Sequence, residues 1–225
     1  MIQAREIIKT IEATAPLLYQ ESYDNSGWIT GDPEGDVKGV LIALDCTMEV
    51  LEDAIHHGEN LIITHHPLIF KPLKRLLKGD AVQEMLLKAI RHDIMIYATH
   101  TSMDNVYNGV NRELGKRLNL KGIRILRPQY DILRKLVVFV PDQHAEAVRK
   151  AMFAAGAGNI GNYDWCSYNT AGQGTFRAGE QTQAFVGAKH HLHFEQEQRV
   201  EVVLPLHIES AVVRAMKDAH PYEEV

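Results

Sequence analysis

NLIITHHP, residues 60–67, is a nearly continuous apolar run that ends in two histidines and a proline. It reads as a strand buried on both faces. VKGVLIALD (37–45) before it and DIMIYATH (93–100) after it read the same way. The intervening residues 48–57 and 80–91 read as helices, the second with Val82, Met85, Leu86 and Ala89 on one face. Strand–helix alternation predicts an α/β domain: a mostly parallel sheet with helices on both faces. Residues 2–14 form a predicted helix that stops before Pro16. ESYDNSGWITGDPEGD (21–36) reads as a turn-rich loop, and 107–118 as a further helix.

The pattern breaks around residues 121–133, where Gly122, Pro128 and Asp131 interrupt it. Two domains are expected, 1–125 and 131–225. In the second, RKLVVFVP (134–141) reads as a strand and 142–155 as an alanine-rich helix. GAGNIGNYDWCSY (156–168) reads as a glycine-rich turn leading into a strand, followed by a polar, glycine-rich stretch to about residue 181. QAFVGAK (183–189) and QRVEVVLP (198–205) read as strands, 207–219 as a helix, and HPYEEV (220–225) as a turn. This order is the β-α-β-β-α-β ferredoxin-like pattern without its last strand, which predicts that the chain ends early.

The 225 residues suffice for a sizeable core, and 45% of them are apolar, as in an ordinary globular protein. A formal charge of −5 argues against a general nucleic-acid binder. Two distant cysteines, Cys46 and Cys166, suit a reducing compartment. The N-terminus lacks the apolar core of a signal peptide, and no apolar run reaches the roughly 18 residues of a membrane span. A cytoplasmic location without membrane association is therefore expected.

The candidate chemistry sits past the strand ends. In open α/β sheets ligands bind at the carboxyl ends of strands, where loops diverge. His65 and His66 follow one strand, His100 to Asp104 another, and Asp45 ends the third. Imidazole and carboxylate together bind zinc, iron, manganese or similar divalent ions. Neighbours on an extended chain point to opposite sides, so His65 and His66 suit two different ions, or one ion and a supporting contact. Asp104 between two ions would bridge them, and such a pair delivers hydroxide at neutral pH. The plainer alternative is a histidine pair capping a loop, with Asp104 closing an Asx-turn.

Other features have plain readings. KHHLHF (189–194), with His190, His191 and His193, reads as a polar hairpin tip. AGAGNIGNY lacks the spacing of a phosphate-binding loop. Cys46 reads as a small buried thiol.

DNSGWITGD (24–32), LIALDCT (41–47), LIITHHPLIF (61–70) and YATHTSMDNVYNGVN (97–111) resemble, in order and spacing, the Nif-three-like family, whose members often carry the label GTP cyclohydrolase 1 type 2. KLVVFVP, AGAGNIGNYDWCSY, GTFRAGE and AHPYEEV resemble the ferredoxin-like, PII/CutA-like domain inserted in longer members. The resemblance implies a dinuclear site with His65, His66 and Asp104 as metal ligands and Asp45 and His100 in support. It implies a metal-dependent hydrolase of a nucleotide-like small molecule, or alternatively a non-catalytic metal-binding regulator or scaffold. It also implies a homo-oligomer, commonly a hexameric ring. The family completes its site with a histidine and a glutamate beyond the inserted domain, a segment that does not occur in this sequence. A half-site with weaker metal binding is the resulting expectation. No separate catalytic base is assigned.

Overall fold

The computed structural model describes residues 2–225, which divide between Leu126 and Arg127 into two compact units. The division falls within the interrupted stretch around 121–133, just past the expected end at 125.

The first unit contains α1 (Ala4–Thr14), β1 (Gly27–Thr30), β2 (Val40–Ala43), α2 (Met48–His57), β3 (Leu61–Thr64), α3 (Ala81–Arg91), β4 (Met95–Ala98), α4 (His100–Asp104) and α5 (Val110–Arg117). Its sheet has the order β1-β4-β3-β2. The strands β2, β3 and β4 are parallel, in a register that aligns Ala43, Thr64 and Ala98. The sheet is mixed, not uniformly parallel, because β1 adds antiparallel to β4 through Gly27↔Ala98 and Trp28↔Tyr97. This strand lies inside the stretch expected to be a loop. Four residues flanked by turn signals carry too little periodicity to register as a strand, and pairing with β4 decides the matter. Gly31, at φ +106°, ends it: any Cβ there would strike the Met95 side chain.

Alternation along the strands fills two cores. Leu61, Ile63, Met95 and Tyr97 pack against α1 through Ala4 and Ile8. Ile62 and Ile96 face the other way, onto Leu51 and Ala54 of α2 and Ala89 of α3. Helices thus cover both faces of β3 and β4, whose residues are all buried. The helix ends follow local chemistry. Thr47 caps α2 by accepting from Val50 N–H, and Gly58 closes it in the left-handed conformation at φ 74°. Asp80 caps α3 by accepting from Gln83 N–H at 3.0 Å. The first helix starts at Ala4, later than expected, because Gln3 is extended and bridges Asp36. The helix expected from residue 107 starts at Val110, after an extended Gly109.

The second unit contains β5 (Leu133–Pro141), α6 (Ala145–Ala154), β6 (Tyr168–Arg177), β7 (Leu192–Pro205) and α7 (Glu209–Ala219). Short 3-10 turns, Asp142–His144 and Leu206–Ile208, precede both helices. The sheet is antiparallel with order β5-β7-β6. Val138, Val140, Val200, Val202 and Leu204 bury one face against Val148 and Met152 of α6 and Val212 and Met216 of α7. The strand expected after the glycine-rich turn is β6, and it runs on through most of the polar, glycine-rich stretch expected to follow it, held by a continuous ladder to β7 from Tyr168↔Glu201 to Arg177↔Leu192. One expectation is corrected here. QAFVGAK is not a strand; it runs as bends through Gly187 at φ +84°. Among the described residues no helix is long and apolar enough to cross a membrane.

Candidate metal centre

The parallel ladder continues past the formal strand ends and fixes the histidines. His65 and His66 N–H donate to the carbonyls of Ala43 and Leu44 at 3.3 and 3.0 Å. His100 N–H donates to the His65 carbonyl at 2.8 Å. His100 adopts φ 27°, an uncommon value for a residue with a side chain, and α4 begins there. The rings of His65, His66 and His100 therefore form a triangle, with centroids 4.9, 5.5 and 5.6 Å apart. Phe70 packs edge-on against His100 at 6.1 Å.

Three carboxylates surround these rings. Asp45 Oδ1 lies 2.7 Å from His66 Nδ1. Asp104 Oδ2 is 3.7 Å from His65 Nε2, beyond a hydrogen bond. Asp24 Oδ1 lies 2.6 Å from His100 Nδ1, and the Asp24 side chain is fully buried. Its other oxygen accepts from Ser26 Oγ at 2.7 Å, from Thr101 N–H at 3.0 Å and from the Thr101 hydroxyl. Burial alone would raise the Asp24 pKa. The donors of Thr101, His100, Ser26 and Asn25 outweigh it and hold the carboxyl well below the usual carboxylate range. Burial, reinforced by the neighbouring His66 and His100, lowers the His65 pKa, against an upward pull from Asp104 and Asp24. The ring favours its neutral form, the form with a lone pair to offer.

All five residues expected at the site, His65, His66, His100, Asp45 and Asp104, gather on this rim. Asp24 is the residue the sequence reading passed over. The Asp-Asn-Ser-Gly signal was visible, but it read as a turn. Its turn is real and it also places a buried carboxylate behind His100.

As a donor set these groups suit a divalent cation. Asp24 and Asp45 engage the Nδ1 atoms of His100 and His66, which leaves both Nε2 atoms for another partner, the arrangement that orients metal-ligating imidazoles. Among the described residues, however, no three His, Cys, Asp or Glu side chains are drawn together as a closed cage for an ion. KHHLHF contributes nothing here. His190 pairs with Glu180 at 2.6 Å and His193 with Glu195 at 2.8 Å, both in the second unit.

A mixed α/β sheet with a histidine- and carboxylate-lined rim at its parallel strand ends defines the class of this unit. The chain belongs to the Duf34/NIF3 (NGG1p interacting factor 3) family, whose model matches residues 2–201. It is 41% identical over 219 residues to a GTP cyclohydrolase 1 type 2 homolog of Halalkalibacterium halodurans, covering 97% of this chain and 59% of that protein. It is 37% identical to the Bacillus subtilis protein of the same name over 100% of this chain and 60% of the relative. Among solved structures, a Bacillus cereus protein related to NIF3 superposes with TM-score 0.86 at 42% identity, covering 100% of this chain and 60% of that one. A Staphylococcus aureus protein matches with TM-score 0.66 at 31% identity, covering 99% of this chain and 57% of that one. The chain thus spans about three fifths of the length of these relatives.

Proposed function

We propose that the rim of the first unit binds divalent metal ions through His65, His66 and Asp104, and that the chain serves a metal-dependent hydrolase of a nucleotide-like small molecule. The observation that carries this reading is the convergence of three imidazoles and three carboxylates at the ends of parallel strands, with two of the imidazoles already oriented by carboxylates. When bound, a pair of ions of the zinc, iron or manganese type would polarise a substrate oxygen and acidify water. Asp45 and Asp24 fix the ring orientations of His66 and His100 through their Nδ1 atoms. His100, held through its Nδ1 by Asp24, would with Asp45 orient ligands or pass a proton at this rim. The buried Thr101 donates to Asp24 and so helps hold the carboxylate that orients His100.

The names of the relatives support GTP as the first substrate to try. We read the second unit as ferredoxin-like, PII/CutA-related, supported by its strand order β5-β7-β6 and its two helices on one face. Self-association belongs to the same reading. It is supported by Ile42 and Leu44, 78% and 62% exposed, at the edge strand β2.

The test is turnover of GTP and a nucleotide panel with zinc, iron or manganese added, for the parent and for Asp104→Ala. Metal-dependent turnover lost in the variant supports the hydrolase. Tight metal binding with no turnover of any nucleotide would replace it with a non-catalytic metal-binding role.

A further inference from the structure

The helix-free face of the second unit's sheet holds the molecule's other concentration of polar chemistry. Register places Phe139 opposite Arg199, Thr170 opposite Arg199, and Gly172 opposite Glu197, so these residues share one face. Over that face close the segment around Thr182 and Phe185 and the residues Tyr222 to Glu224, leaving a cavity of about 650 Å³. Small-molecule sites span roughly 300–1,000 Å³.

Glu197 lies at its floor and is only 8% exposed. Its Oε1 accepts the Tyr222 hydroxyl at 2.8 Å, and its Oε2 leans over Gly174, where any Cβ would collide with it. Glycine at 174 is what lets the carboxylate lie across the strand. No basic side chain pairs with Glu197 among the described residues. Arg199, its near neighbour, is committed to Glu201 at 2.8 Å, and Arg177 sits opposite Leu192 at the far end of the strand. A buried carboxylate with an uncommitted oxygen facing a cavity is costly unless something supplies donors.

The walls carry the rings of Phe176, Phe185 and Tyr222, and Arg177 and Arg199 line the cavity too. Phe176 and Phe185 lie 6.0 and 6.3 Å from the Tyr222 ring. The Tyr222 position is itself fixed: its N–H donates to His220 Nδ1 at 3.1 Å, and the opposite ring nitrogen, which therefore carries the proton, donates to the Phe139 carbonyl at 2.9 Å. Gln183 N–H donates to Glu223 Oε1 at 2.8 Å and ties the covering segments together. Burial, with the bond to Glu197 and the nearby charges of Glu197 and Glu195, raises the Tyr222 pKa, so its hydroxyl remains a donor.

We propose that this cavity binds a small planar cation with a forked pair of N–H donors, of the amidinium or guanidinium class, its charge on Glu197 and its flat body against Phe176, Phe185 and Tyr222. Flat cations gain both a charge-assisted hydrogen bond to the carboxylate and attraction to ring faces. Glu223 and Glu224 also line the cavity and, with Glu197, outnumber its two arginines, of which Arg199 is already paired with Glu201. The proposal is independent of the metal site, and it stands or falls without it.

The probe is benzamidine, with benzamide as the uncharged control of the same shape, titrated into the whole chain and followed by saturation-transfer NMR. Benzamidine is predicted to saturate a single site while benzamide does not saturate over the same range. Glu197→Gln keeps an acceptor for Tyr222 and is predicted to weaken benzamidine at least roughly tenfold. Phe185→Ala, on an exposed segment outside the core, is predicted to weaken it roughly threefold, and it keeps the test decisive if Glu197→Gln does not fold. Equal binding of benzamide, unchanged binding in folded variants, or no saturable benzamidine binding by the parent would each overturn the proposal.

Discussion

The two sheets expose their chemistry in different places. In the first unit β3 and β4 are covered on both faces, so no polar side chain can emerge along their length. His65, His66, His100 and the carboxylates around them appear only where the strands end. In the second unit one sheet face carries the core and the other is free of helices. A nearly buried carboxylate, Glu197, can therefore sit in mid-strand and face a cavity. Parallel sheets push a site to their rim, whereas a three-stranded antiparallel sheet can hold one on its surface.

Substitutions along the strands should divide the same way. Ile62→Ala, in a residue with no exposed surface between α2 and α3, is expected to cost roughly 2–5 kcal/mol in urea denaturation. Phe139→Ala, on the helix-free face and 57% exposed, is expected to cost under about 1 kcal/mol. Comparable losses at both positions would erase the distinction between a doubly covered and a singly covered sheet.

The next effect concerns the rim itself. Asp24→Ala removes the acceptor shared by His100, Ser26 and Thr101 and leaves a buried N–H without its partner. A loss of roughly 2–3 kcal/mol is expected. Asp45→Ala, acting on an exposed pair, is expected to cost under about 1 kcal/mol. If Asp24→Ala proved no more costly than Asp45→Ala, the buried network would not be what holds His100.

Cys46 gives the smallest effect. Burial in the first unit pushes its thiol up to about 11, above the ordinary 9.0, so the folded protein holds that proton longer than the unfolded chain. This contribution to stability is complete below pH 9 and fades as pH rises toward 11. Iodoacetamide at pH 8 is therefore expected to label the partly exposed Cys166 and spare Cys46 in the native protein, with mass spectrometry locating the adduct. Equal labelling would mean that the α2 side of the sheet opens readily.

Much of the first unit was legible because its signals are local. An apolar run followed by His-His-Pro states both a buried strand and its end, and Thr47 and Gly58 bracket α2 at the expected residues 48–57. The strand β1 was not legible, since its pairing with β4 is a tertiary fact. Asp24 went unread for the same reason: it lies 76 residues from His100, and nothing local announces that contact. In the second unit the start of β6 was legible after the glycine-rich turn, but its length was not, because Gly172, Gln173 and Gly174 carry no apolar alternation. One of these glycines, Gly174, is also the one that leaves room for the Glu197 carboxylate.

The most direct measurement is metal content per chain by elemental analysis, after loosely bound ions are removed, on the parent, His65→Ala and Asp104→Ala. The account predicts one to two divalent ions in the parent and their loss from both variants. A parent with no metal above background, or variants that keep the parent's content, would contradict it.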